Sequence, residues 1–319
     1  MAKHRASLPQ LTGEFFLTDG GIETTLIFLE GQELPHFAAF HLLQSADGEG
    51  VLRKYFLTYA ELAKRLNTGL VLESATWSQS GLGQRLGYAA DALAEANTKA
   101  VRMLEEIRAQ YETPEAPIVI SGCVGPRGDG YIADSAMSVP DAEEYHRFQI
   151  ETFARTAADL VTAITMNYAE EAIGVTRAAK GAGMPVVISF TVETDGRLPT
   201  GQPLGDAIQE VDDATGAYPA YYMINCAHPS HFDQAVDAEL PWLSRIRGLR
   251  ANASRMSHEE LNEAPELDAG VPADLGREYA ELKRRQLKHL SVMGGCCGTD
   301  DRHVEQIALS CLPLFRESA

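Results

Sequence analysis

Apolar residues gather in short runs along the chain, each stopped by turn-forming residues and separated by stretches of helical period. Eight runs read as strands. Run 15–18 stops at Asp19-Gly20-Gly21, run 70–72 at Glu73-Ser74, and run 118–120 at Ser121-Gly122-Cys123. Run 160–164 opens after Asp159, and run 186–190 leads into Thr191. Run 221–224 stops at Asn225-Cys226, run 249–251 at Asn252, and run 290–293 at Gly294-Gly295-Cys296. Between them, Leu52, Phe56, Tyr59, Ala63 and Leu66 recur at spacings of three and four, the period of one helix face. Leu93, Ala96, Ala100, Leu104, Ile107 and Tyr111 do the same, and residues 170–180 form a third helical stretch closed by Gly181 and Gly183.

Strand and helix alternating eight times predicts an α/β fold, a closed parallel (β/α)8 TIM barrel, with residues 1–319 as one domain. An open doubly wound sheet is the alternative. The glycine fingerprint expected after its first strand is missing, because Asp19-Gly20-Gly21-Ile22-Glu23 has too few glycines. Segments 194–217 and 252–278 read as long loops, the first with Gly196, Pro199, Gly201 and Pro203, the second acidic with Pro265 and Pro272. In a barrel they lie at the carboxyl ends of strands, where active sites are built.

Charge narrows the partners. Lysine and arginine number 27 against 45 aspartates and glutamates, a net of −18, which disfavours nucleic acid. The cluster Lys283-Arg284-Arg285 sits in a mixed-charge helical stretch and reads as a solvated face. No apolar run approaches the roughly 18 residues of a membrane span. No apolar segment follows the basic residues at 1–8, so no secretory signal is expected. Five unevenly spaced cysteines in a chain this long are not a disulfide framework. Free thiols imply a reducing, cytoplasmic setting.

Three of those cysteines carry the chemistry. Cys226 follows the sixth run, and Cys296-Cys297 follow the eighth, inside Gly294-Gly295-Cys296-Cys297-Gly298-Thr299. In a barrel both strand ends open on the same mouth, so three thiolates can converge on zinc and leave its fourth position open. Cys226 alone reads as a small buried hydrophobe; the two motifs together read as a zinc site. A vicinal disulfide between Cys296 and Cys297 would be strained. Cys123 and Cys311 read as packing residues, and His228 as a loop histidine that could otherwise supply a fourth ligand.

These motifs resemble the homocysteine S-methyltransferase family, which includes S-methylmethionine- and betaine-dependent enzymes. The resemblance spans nearly the whole chain. It is carried by Asp19-Gly20-Gly21, Thr76-Trp77, the stretch 122–126, Ser189-Phe190-Thr191, Gly201, Asn225-Cys226 and the stretch 294–299. It implies a (β/α)8 barrel, catalytic zinc on Cys226, Cys296 and Cys297, and methyl transfer from a small onium donor, S-methylmethionine or S-adenosylmethionine, to a thiol, homocysteine by default. Asp19 resembles the aspartate that holds the acceptor's amino group, with Gly20 and Gly21 letting backbone amides approach its carboxylate. Glu73, Thr76 and Asn252 are further expected substrate-binding residues. Beyond the metal site, no catalytic side chain is expected.

One departure stands out. Many family members carry a Glu-Thr pair at the end of strand four; here Thr165 matches but Ile164 replaces the carboxylate. An apolar side chain cannot pair with an ammonium. Asp19 or Glu73 must compensate, or the acceptor is not homocysteine. The alternatives to a methyltransferase are a zinc-barrel hydrolase and a non-catalytic barrel that binds thiols or metal.

Overall fold

The computed structural model describes residues 2–77, 83, 85–133, 136–236, 240–264 and 266–316. Eight parallel strands close in sequence order, with β1 paired to both β2 and β8. They are β1 (Phe16–Leu17), β2 (Gly69–Glu73), β3 (Ile118–Val124), β4 (Leu160–Met166), β5 (Val186–Thr191), β6 (Tyr221–Asn225), β7 (Ile246–Ala251) and β8 (Val292–Gly295). The main helices are α1 (Ala46–Leu66), α2 (Ala90–Tyr111), α3 (Val139–Ala154), α4 (Ala169–Gly181), α5 (Leu204–Thr215), α6 (His258–Glu263), α7 (Pro272–Arg285) and α8 (Asp301–Arg316). No helix among the described residues is long and apolar enough to cross a membrane.

The core divides in two because strand side chains alternate between faces. Phe16, Val71, Val119, Leu160, Val187, Tyr221, Met223 and Val292 form one cluster, together with Leu8 from the N-terminal segment. The opposite faces pack Leu17, Leu70, Leu72, Ile188, Ile224, Leu249 and Met293 with the helices. The N-terminal segment is tied near the start of β4. Lys3 and His4 amides donate to Asp159 Oδ1, both at 2.7 Å. The Arg5 guanidinium donates to the carbonyls of Ala154, Thr156 and Ala158.

Each expected strand is present, with shifted bounds. The eighth begins later and runs through Gly294 and Gly295. A Cβ at either position would collide with the threonine hydroxyls of Thr18 or Thr299, so only glycine lets this strand end press against its neighbours. The two expected long loops are corrected by the structure. The first contains α5, whose buried Leu204, Ala207, Ile208 and Val211 keep helical spacing. The second contains α6 and α7, the former closed at its start by a Ser257–Glu260 capping box.

Candidate active site

The sulfurs of Cys226, Cys296 and Cys297 lie within 4.8 Å of one another at the carboxyl mouth. Cys226 and Cys296 are paired as a disulfide, with Cα atoms 5.4 Å apart, while Cys297 is a free thiol.

Asn225 explains why an asparagine precedes the first cysteine. Its Oδ1 accepts from the Thr165 amide (3.0 Å) and from Ser189 Oγ (2.6 Å), and its Nδ2 donates to Thr165 Oγ1 (2.9 Å). One side chain thus ties β4, β5 and β6 at their ends. The following residue, Cys226, takes φ of 54°, and Thr165 takes 65°, both left-handed conformations that side chains rarely adopt. The cross-strand bonds hold these turns and direct the chain out of the sheet.

β7 lies between the two cysteine motifs and fixes both. The Cys226 amide donates to the Arg250 carbonyl (3.1 Å), and the Cys296 amide to the Ala251 carbonyl (2.8 Å). The Ala253 amide donates to the Cys297 carbonyl (3.1 Å), and Asn252 Nδ2 to the Cys226 carbonyl (2.9 Å). Asn252, expected to bind substrate, is seen holding the carbonyl of the first cysteine.

Two aromatic rings complete this side. Tyr131 places its hydroxyl 3.7 Å from Cys297 Sγ and stacks on His258, ring centroids 3.9 Å apart. His258 Nε2 donates to the Cys226 carbonyl (2.6 Å), and its Nδ1 lies 3.1 Å from Glu193 Oε1. His228, the other candidate near the first motif, turns to Ser230 and Glu278 instead. Cys123 and Cys311 are buried and lie outside the sulfur cluster.

The expected substrate carboxylates meet a residue the sequence reading missed. Arg250, buried on β7, makes ion pairs with Asp19 (2.7 Å) and Glu73. It also donates to the carbonyls of Gly20 (3.1 Å) and Gly295 (3.0 Å). Tyr55 donates to Asp19 Oδ2 (2.9 Å). Burial pushes the carboxyls of Asp19 and Glu73 above their ordinary range, against the pull of Arg250. Thr76 is fully buried, its hydroxyl 2.8 Å from Ser74 Oγ and donating to the Cys123 carbonyl (2.7 Å). Trp77 donates to the Ile164 carbonyl (3.1 Å) at the end of β4, where the register with β5 shifts.

Gly20 and Gly21 run against the second cysteine motif. The Gly21 amide donates to the Thr299 carbonyl (3.0 Å), and a Cβ there would strike the Cys296 carbonyl. The helical turn Ile22–Thr24 follows, and Thr24 Oγ1 accepts from the Gly298 amide (3.1 Å). Glu23 sits on this turn, partly buried, with no hydrogen bond or ion pair from its carboxylate to another described residue. Burial, followed by the nearby Asp19 charge, pushes its carboxyl up to about 7.

The site is thus a closed barrel with a three-sulfur cluster and a buried charged triad at its mouth. Over residues 16–311 the sequence matches the family described as homocysteine S-methyltransferase, and the chain belongs to that family. Among solved structures it is similar to the homocysteine methyltransferase MmuM of Escherichia coli. Against the oxidized form the TM-score is 0.74 at 18% identity, covering 96% of this chain and 99% of that one. Against the metallated form the TM-score is 0.69 at 16% identity, covering 93% and 96%. Identities this low carry the fold. They agree with the (β/α)8 barrel expected from the strand count.

Proposed function

We propose that this chain is a zinc-dependent methyltransferase that moves a methyl group from a small onium donor, S-methylmethionine or S-adenosylmethionine, to a thiol acceptor, with homocysteine the default. The observation that carries the reading is the convergence of Cys226, Cys296 and Cys297 at the barrel mouth. Three soft sulfur donors suit zinc, and the backbone bonds from β7 hold two motifs around one point. When bound, zinc favours the anionic form of an entering thiol, the state that attacks a methyl group.

The chain's own residues supply the rest. Tyr131 presents a hydroxyl to Cys297 Sγ, and Thr165 Oγ1 lies 4.0 Å from Cys226 Sγ, so two sulfurs have polar neighbours that can moderate their charge. Asn225, Asn252 and His258 fix the Cys226 backbone and so the direction of its side chain. Asp19, Gly20 and Glu73, gathered by Arg250, would form with Gly21 the wall against which the acceptor's polar end rests, and Thr76 and Asn252 are the further binding residues of this reading. Holding donor and acceptor in one mouth removes much of the entropic cost of their meeting. Both partners are small molecules, and three thiolate ligands need the Cys226–Cys296 pair reduced, which suits a reducing cytoplasm; neither nucleic acid nor membrane enters this reading.

The test is turnover. Protein purified under reductant and loaded with zinc should methylate homocysteine from one of the two sulfonium donors, detected as methionine. Zinc-loaded protein that transfers no methyl group to any thiol would sink the reading.

A further inference from the structure

We propose that Glu23 is the specificity-determining carboxylate of this chain, reading a cationic group carried by a substrate beside the sulfur cluster. The proposal rests on the methyltransferase reading and deepens it.

The other carboxylates near the mouth are already engaged. Asp19 and Glu73 both face Arg250, which also binds two backbone carbonyls. A carboxylate already paired with a buried guanidinium gains less from a second cation than a free one does. The other position where a carboxylate might stand, at the end of β4, is Ile164. Neither expected candidate is therefore free to hold a substrate cation by itself.

Glu23 is free. Its turn is pinned on both sides to the loop that bears Cys296 and Cys297, through Gly21 to Thr299 and through Thr24 to Gly298. The backbone that bears Glu23 is thus held against the second cysteine motif. The Glu23 charge reaches the groups around the mouth. It is felt at Asp19 and Arg250, and at the buried thiol of Cys123. A partly buried carboxylate that no described cation contacts, and that Arg250 steadies only through space, is costly, and a substrate cation would reduce that cost on binding. Asn252 Oδ1, buried at the end of β7, likewise has no hydrogen-bond donor among the described residues. Arg250, the cation of this mouth, is taken up by Asp19, Glu73 and two carbonyls, and makes no contact with Glu23.

The cation can come from two substrates: the α-ammonium of an amino-thiol acceptor or the sulfonium donor. The experiment separates them. Wild type, Glu23→Gln and Glu23→Asp are assayed with homocysteine and with its des-amino analogue 4-mercaptobutyrate, using S-methylmethionine and then S-adenosylmethionine. A lost charged hydrogen bond corresponds to roughly ten- to a hundredfold in affinity. If Glu23 reads the acceptor, Glu23→Gln lowers the preference for homocysteine by about that factor, and Glu23→Asp keeps part of it. If it reads the donor, acceptor preference stays and the donor KM rises by about that factor, again less for Glu23→Asp. Variants that melt like wild type and alter neither quantity overturn the proposal while leaving the methyltransferase reading standing. A wild type that transfers no methyl group overturns both.

Discussion

The Arg250 guanidinium lies 2.7 Å from the Asp19 carboxylate, and through it β7 reaches across the barrel mouth to the turn after β1. The same guanidinium reaches Glu73 at the end of β2. Removing one member of a buried ion pair strands its partners, at a cost of about 3–5 kcal/mol. Arg250→Met should therefore melt well below wild type. It should also be more stable at pH 5 than at pH 8. With the cation gone, the carboxyls of Asp19 and Glu73 move further above their ordinary range, and acids so raised stabilise the fold at low pH and lose that contribution as pH rises. Thermal denaturation at the two pH values checks this; a variant with the wild-type profile would show that the triad contributes little.

Glu23 gives a second pH effect. Its carboxyl stands near 7 in the folded chain against an ordinary 4.5. The sign follows from the folded state holding the proton more tightly. That contribution is complete below about 4.5 and is lost as pH rises through 7. Glu23→Gln should gain stability relative to wild type at pH 8 and little at pH 5. Equal differences at both values would mean that this carboxyl titrates normally.

The sulfur cluster makes a metal prediction. Under reductant each chain should bind one zinc, and Cys226→Ser, Cys296→Ser and Cys297→Ser should each weaken it severely, because each removes one of three thiolate ligands. Peroxide should inactivate the protein, and reductant with zinc should restore it, since sulfurs this close can join once no metal holds them apart. Metal analysis beside thiol counting settles the matter. Stoichiometric zinc surviving the serine variants would mean that the ion sits elsewhere.

Tyr131 offers a finer test. Tyr131→Phe keeps the ring stacked on His258 and deletes the hydroxyl near Cys297. Loss of one neutral hydrogen bond is worth about 0.5–1.5 kcal/mol, so the transfer rate should fall about two- to tenfold with zinc content unchanged. Loss of the metal instead would make Tyr131 part of the metal's support.

The barrel was legible in the sequence because each buried strand is a short apolar run with a turn signal after it, as at Tyr221–Asn225. The sulfur cluster was legible because Asn225-Cys226 and Gly294-Gly295-Cys296-Cys297 sit at two such ends. Helices α5 and α7 were hidden by the glycines and prolines around them, although Leu275, Tyr279 and Leu282 keep helical spacing. Arg250 was hidden differently. It interrupts the apolar run around Leu249 and Ala251, and a charge within a buried strand signals a partner whose identity only folding supplies. Asp19 and Glu73 are 54 positions apart in sequence (73 minus 19), and nothing local in either announces that one guanidinium joins them. Tyr131 and His258 were equally silent, since an aromatic in a loop and a histidine at the start of a short helix carry no shared pattern.

The three sulfurs do not come from neighbouring strands. Cys226 leaves β6, Cys296 and Cys297 leave β8, and β7 runs between them with its amides and carbonyls tied to both. The binding point therefore comes into being only when the last strand has slotted between β7 and β1 and sealed the ring. On the proposed reading, metal capture would report on ring closure: a nascent chain that has laid down six strands carries one of the three sulfurs and has no means of gathering the others.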